Sequence, residues 1–371
     1  MFQDFQEIQS IQDKASQDEL NKLVLENQEK LEQLRRIQVV QNMYFNSLSI
    51  LETQPQQERS IQTQYQFEQD IMVESTASTE DFLNPQRWPT DEIRARYIPQ
   101  EAYVFEPAPE DALIRIDKCQ QRMIFHKSMQ YLPEEQKYYD DFQKYLTTNN
   151  LVLPEGYDDD EMMVQRFLEG NQWKFKECYE SILVHQRFLN SFPTELNAFK
   201  LYEEELNKGY CYVYKRDKSF RPIFVLNVAK LKQCKIPHEQ VLQMSTYFVQ
   251  YLITRALIPG KIENWLSIVD MKGVGITEIP KNLMKAITKP LQTLFKGRLY
   301  RLHVINAQWT IKIVWKVVKK VVDPFTVKKF VICDDQPIKE LSKLIDLNNL
   351  EKRFGGNLDD KTDNFFPPQL I

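Results

Sequence analysis

The spacing of apolar residues changes three times along this chain. In residues 1–50, Phe2, Phe5, Ile8 and Ile11 recur every third position. Leu20, Val24, Asn27, Leu31 and Leu34 then follow a four–three rhythm, until Gln38 and Gln41 fall where apolar residues should stand. That pattern predicts a helical arm with a narrow, coiled-coil-like seam. Residues 51–129 lose periodicity and carry the turn-rich stretches TQPQQERS, NPQRWPT and EPAPED, which predicts an extended linker. From 130 a helical rhythm returns in EEQKYYDDFQKYL and in MMVQRFLEGNQWKFKECYESILVHQRFL. The second run follows EGYDDDE, whose acids suit the positive end of a helix. Residues 130–196 therefore read as a small all-helical lobe.

Strands and helices alternate in the next part. GYCYVYKRD and RPIFVLNV flank KSF as a hairpin, and EQVLQMSTYFVQYLITRAL follows as a helix. NWLSIVDM is a short strand pattern with apolar residues on both faces. Residues 280–296 read as helix, RLHVINA as strand, WTIKIVWKVVKKVV as helix, VKKFVIC as strand and IKELSKLI as helix. The alternation predicts an α/β body with a mixed, largely parallel sheet over 197–357, followed by a tail over 358–371.

Composition narrows the function classes. The chain has 371 residues, 42% of them hydrophobic and 12% aromatic, which is enough for a packed core. Only 9 are glycine, few for phosphate-cradling loops. Cys119, Cys178, Cys211, Cys234 and Cys333 stand far apart, so reduced thiols in an intracellular compartment are expected rather than a zinc or redox motif. MFQDFQEIQSIQDK lacks the features of a secretory or transit peptide, and no apolar run has the length of a membrane-spanning helix.

Catalytic motifs are wanting. KGVGITE follows a strand, but Glu278 stands where a dinucleotide site needs a small residue. PGKIE at 259–263 is not a P-loop, and neither G-x-S-x-G nor HExxH occurs. Asp334 and Asp335 read as a solvated turn rather than a metal site. No enzyme activity, catalytic residue, metal or cofactor is expected.

The lysines change the picture. Between Lys281 and Lys329 stand twelve Lys or Arg and one acid, Asp323, giving +11 in a chain of net −4. Within 309–322, Lys312, Lys316, Lys319 and Lys320 share one helical face, and Trp309, Ile313, Val314, Val317 and Val321 cover most of the rest. Such a helix suits an anionic membrane surface, where each lysine is worth about 1 kcal/mol. A nucleic-acid partner is not expected, because interleaved aromatics and glycine-rich loops are missing.

RPIFVLNV, WLSIVDMKGVG, LHVINAQW, DPFTVKKFVI and LEKRFGGNLDD, preceded by DDDEMMVQRFLEGNQWKFKECYESI, resemble the CRAL-TRIO lipid-binding and lipid-transfer family, of the yeast phosphatidylinositol-transfer type. The likeness runs from about 130 to 360. It implies a CRAL-TRIO fold: a sheet floor under an apolar cavity, a gate helix at 309–322, a helical lobe in front, and the N-terminal arm outside the likeness. It implies a cavity and gate built from Ile268, Val304, Trp309, Ile313, Val314 and Val317, with Lys312, Lys316, Lys319 and Lys320 facing the membrane. Thr326 and Lys329 match headgroup-contacting positions, with Arg298 as a third candidate. Glu169, Gly170, Asn171 and Gln172 depart from the basic residues expected after R-F-L. Gly297 stands where a glutamate is expected, and Trp265 and Leu291 replace polar residues of choline-lipid binders.

The expected function is therefore non-enzymatic binding or transfer of a phospholipid or other hydrophobic ligand, in the cytoplasm and at the surface of an anionic membrane. The rival expectation is a structural subunit of a large assembly, such as a ciliary microtubule or mitochondrial membrane complex, with a degenerate domain as scaffold. In either case residues 1–112 are expected to grip a protein partner, and the body to fold without them.

Overall fold

The computed structural model describes residues 91–371 except 118, 127–128, 158–159, 192–195, 276–287, 289–290, 308–321, 323 and 334–335. All of these lie in the second of two units into which the chain divides, Ile71–Ile371. The helical arm at 1–50, the first part of the linker at 51–90, most of the helix expected at 280–296, and the gate with Trp309, Ile313, Val314, Val317 and its four lysines fall outside the described residues.

Five strands form the main sheet: β3 (Cys211–Arg216), β4 (Pro222–Asn227), β5 (Trp265–Asp270), β6 (Leu299–Ile305) and β7 (Phe330–Ile332), paired in that order. Another two, β1 (Leu113–Ile116) and β2 (Cys119–Arg122), make a separate antiparallel hairpin. The β3–β4 hairpin closes through Asp217, whose Oδ1 accepts from the backbone N–H groups of Ser219 and Arg221. The other neighbours in the main sheet pair in parallel. β7 is shorter than VKKFVIC suggests, because Pro324 opens a short helix, Pro324–Lys328, that uses the first part of the run.

Strand residues alternate in direction, so register assigns each side chain to a face. Val225 pairs with Ile268 and Ile268 with His303; Leu226 pairs with Val269 and Val269 with Val304. The first set lies on one face with Tyr212, Ile223, Leu266 and Ile305. It packs under Leu341, Ile345, Leu350, Phe354 and Phe365 from the C-terminal layer, which includes the helix Ile338–Leu344. The opposite face carries Val213, Phe224, Leu226, Trp265, Val269, Leu302, Val304 and Phe330. Its β3–β5 side is covered by the helix His238–Ala256, whose Val241, Met244, Tyr247, Phe248, Tyr251 and Leu252 recur at helical spacing.

The helical lobe forms as the periodicity predicts, from Pro133–Thr148, Glu161–Gly170 and Phe175–Asn190 around Phe142, Val164, Phe167, Leu168, Cys178 and Ile182. Asp160 caps the middle helix by accepting from Met163 N–H at 3.0 Å.

The expectation of an extended linker up to residue 129 needs correction. From residue 91 onward the linker is not extended. It folds into helices Asp91–Ala95, Gln100–Val104 and Pro109–Ala112 and then the β1–β2 hairpin. Ile93, Tyr97, Ile98 and Ala102 join the same core as Tyr247 and Tyr251. The Tyr97 and Tyr251 hydroxyls lie 2.8 Å apart, and Arg216 donates to the Tyr97 and Ala256 carbonyls at 2.6 and 2.9 Å. These helices are too short to show a period, and prolines at 99, 107 and 109 interrupt what pattern there is. The boundary at 112 therefore cuts through the core. At the other end the tail is anchored, with Phe365, Phe366 and Leu370 all buried.

Ile98 is 1% exposed. Ile98→Ala should lower unfolding stability by about 2–4 kcal/mol in urea titration. An unchanged midpoint would restore the linker reading.

Candidate functional site: an apolar sheet face with a charged end

Over β4–β7 the second sheet face keeps side chains that are only partly buried. Val304 is its buried member, clustered with Val228, Met271 and Val274 from beyond the strand ends, and Leu226, Val269, Leu302, Ala307 and Phe330 pack against this cluster half-buried. On the edge strand, Ile332 is 36% exposed. The opposite face, by contrast, is sealed: Leu266, Ile268 and Ile305 are all 0% exposed. Val304 lies on the half-buried face. Ile268 does not. It points into the C-terminal layer, because the parallel register pairs it with His303 and places Val304 one residue further, on the other face.

Charged residues gather where the parallel strands begin. Glu263, Arg298 and Lys329 stand just ahead of β5, β6 and β7. Gly297, at φ +64°, turns the chain so that Arg298 enters this corner. A side chain at 297 would come within 3.1 Å of the Arg166 guanidinium. Arg298 Nη1 donates to the Glu263 carbonyl at 2.9 Å. Burial, reinforced by the neighbouring Arg166 charge, pulls the Arg298 guanidinium down to about 9. Arg166 pairs with the Glu263 carboxylate and lies over the Phe125 ring, 4.4 Å from its centroid. Glu263 also accepts from the Phe125 and Gly260 backbone N–H groups at 3.0 and 2.7 Å.

Lys329 is a buried residue, 2% exposed, and not part of a surface strand. Its Nζ donates to the Leu299 carbonyl at 2.7 Å and lies 3.6 Å from Met123 Sδ. Its backbone N–H donates to the Thr326 carbonyl at 3.0 Å. Beside it Arg122 donates from Nε to Glu135 at 2.8 Å, and the Arg122 backbone N–H donates to Glu169 Oε1 at 2.6 Å. The other Glu169 oxygen is enclosed and has no hydrogen-bond partner among the described residues. Burial raises the Glu169 carboxyl to about 8, against the smaller opposing pull of the Arg122 backbone bond.

Of the three sequence candidates, Arg298 and Lys329 stand at one corner, and Thr326 reaches Lys329 through its backbone carbonyl. Arg122, Met123, Glu135, Arg166 and Glu263, which complete it, were not singled out from the sequence. Their one local signal is charge inside apolar runs, as in VQRFLEG, where Arg166 is 5% exposed. Among the described residues no group of three His, Cys, Asp or Glu side chains is placed to hold a metal ion.

Residues 206–356 match the model of the CRAL/TRIO domain. Over 215 residues the chain is 26% identical to the Sec14 cytosolic factor of Schizosaccharomyces pombe, covering 53% of this chain and 75% of that protein. Over 241 residues it is 26% identical to the phosphatidylinositol/phosphatidylcholine transfer protein SFH4 of Arabidopsis thaliana, covering 60% of this chain and 39% of the relative. It spans 46% of the SEC14 cytosolic factor of Yarrowia lipolytica, so some relatives extend well beyond the matched part. The crystal structure of Sfh5 aligns with 65% of this chain and 96% of its own at 18% identity and a TM-score of 0.44.

The Glu169 carboxyl carries a pH signature. A glutamate ordinarily ionises near 4.5, and this one near 8. Between those values the folded chain holds a proton that the unfolded chain has released. The stability contributed by that proton is complete below the lower value and is lost as pH rises to the upper one. Relative to Glu169→Gln, the wild-type urea midpoint should fall from about pH 5 to about pH 8 and then level off. Parallel pH profiles for the two proteins would contradict the burial of this carboxyl.

Proposed function

We propose that this chain, which carries a CRAL/TRIO domain over residues 206–356, binds a phospholipid or other hydrophobic ligand on the half-buried face of β4–β7. It transfers that ligand between membranes without changing it chemically. The observation that carries the reading is the unequal closure of the two sheet faces. One is sealed by the C-terminal layer, and the other offers Leu226, Val269, Leu302 and Phe330 without full burial, around the buried Val304. Each methylene kept from water is worth about 0.8 kcal/mol, so such a surface gains by covering an acyl or ring system.

The names of relatives support lipid transfer as the class. One is called a phosphatidylinositol/phosphatidylcholine transfer protein, and another a cytosolic factor, which supports a cytoplasmic location. No helix among the described residues is long and apolar enough to cross a membrane. In this proposal the segment 309–322 gates the floor through Trp309, Ile313, Val314 and Val317. Lys312, Lys316, Lys319 and Lys320 meet anionic lipid there. The segment before residue 91 is the part left to engage a protein partner, since Ile93 to Ala102 pack against the chain's own body.

Mass spectrometry of an organic extract of the purified full chain should find a hydrophobic ligand in near-stoichiometric amount. Phe330→Asp, which places a charge on the floor, should cut vesicle-to-vesicle lipid transfer by at least about tenfold while the protein still unfolds cooperatively. A chain free of lipid, with transfer unaffected by the substitution, would overturn the proposal.

A further inference from the structure

The cysteines of this chain differ in their settings. Burial pushes the Cys178 thiol up and the Cys211 thiol up to about 12, and Cys333 is 5% exposed. Cys119 opens β2, is half-buried, and has its Sγ 2.9 Å from Lys328 Nζ, across a sequence separation of 209. Lys328 ends the helix Pro324–Lys328 with its side chain 31% exposed, and Asp117 Oδ2 lies 3.8 Å from the same Nζ. The contact with Cys119, aided by the Asp117 charge, holds the Lys328 ammonium above its ordinary value. Both backbones are fixed. Beyond Cys119, Met123 donates its N–H to the Ala112 carbonyl at 2.7 Å and accepts from Asn264 Nδ2 at 2.6 Å, and Phe125 N–H is held by Glu263 at 3.0 Å. Beyond Lys328, Lys329 Nζ donates to the Leu299 carbonyl at 2.7 Å.

We propose that Cys119 and Lys328 are a peroxide-responsive pair, which oxidation joins through Sγ and Nζ as a sulfenamide, clamping residues 119–125 across the entry edge of the sheet. The thiolate is the form that peroxides oxidise, and a neighbouring ammonium favours it. In the first step the sulfur attacks hydrogen peroxide. An S–O bond forms, the O–O bond breaks, and the departing hydroxide takes up a proton as water. Sulfur loses two electrons and the peroxide gains them. The resulting sulfenic acid is neutral, so the hold on the ammonium weakens and Lys328 releases its proton to water. In the second step the free amine attacks sulfur. The N–S bond forms, the S–O bond breaks, and hydroxide leaves with the proton shed by nitrogen as a second water. Thiol, amine and one hydrogen peroxide thus become one sulfenamide and two waters. The separation of 2.9 Å is a near-attack contact, which is generally about 3–3.5 Å, so neither backbone has to move far. The inference is independent of the lipid-binding reading.

The test treats the full chain with hydrogen peroxide, digests it without reductant and maps the peptides by mass spectrometry. A linked peptide pair joining Cys119 to Lys328, lighter than its two parts by two hydrogen atoms, should appear and should be lost after dithiothreitol. Cys119→Ser should give no such pair. Lys328→Arg keeps the positive charge at the sulfur, but a guanidinium stays protonated and does not capture the sulfenic acid. Peroxide-treated Lys328→Arg should therefore be labelled by dimedone at Cys119 at least about fivefold more than the wild type. A disulfide between Cys211 and Cys234, which pack on the same core, changes the intact mass equally, so the peptide pair is the readout. No Cys119–Lys328 pair, with equal dimedone labelling of the two proteins, would overturn the proposal.

Discussion

A β-sheet has two faces, and this chain closes them by different means. One face meets a layer supplied by the last third of the sequence, from Ile338 to Phe365, and reaches full burial at Leu266, Ile268 and Ile305. The other is covered on the β3–β5 side by the helix His238–Ala256 and remains half-buried across β5–β7. Because side-chain direction alternates along a strand, one residue of register decides whether an apolar side chain is sealed under the C-terminal layer or left half-buried on the opposite face. Ile268 and Val269 are adjacent in sequence and lie on these two different faces.

The charged corner follows from the same topology. Parallel strands start together, so the residues preceding β5, β6 and β7 converge, and here they are Glu263, Arg298 and Lys329. Converging cations in a dry place are tolerable only with partners. The helical lobe supplies Arg166 and Glu135, and the N-terminal segment supplies Arg122 and backbone N–H groups. That is why residues 119–125 cannot be an independent linker: they complete the hydrogen bonding of the sheet's entry edge. The corner joins stretches of chain remote in sequence, with separations of 47 between Arg122 and Glu169 and 97 between Arg166 and Glu263.

Legibility in the sequence followed the range of the interactions. The helices Pro133–Thr148 and His238–Ala256 and the strands β3 to β6 are set by local periodicity and by turn residues, and they stand where the pattern places them. The resemblance to the CRAL-TRIO family rested on the order of several short sequence words, most of which lie in the span 206–356 that matches the CRAL/TRIO model. The facing of β5 was not legible, since a strand buried on both sides shows no alternation: its Leu266, Ser267 and Ile268 are all buried. The helices between 91 and 112 were hidden by their brevity and by proline. At the candidate site, Arg298 and Lys329 were readable through the resemblance. Glu169 registered only as a departure from it, because its partners, Arg122 and Lys329, are remote in sequence.

The most direct test of the central claim is photo-crosslinking with a diazirine-bearing hydrophobic probe, loaded into the intact chain and mapped by peptide mass spectrometry. If the half-buried face is the ligand floor, label should appear on Val269, Leu302, Val304 and Phe330 and spare Ile268 and Ile305 on the sealed face. Label confined to residues outside the sheet, or none displaced by unlabelled lipid, would contradict the assignment of that face to a ligand.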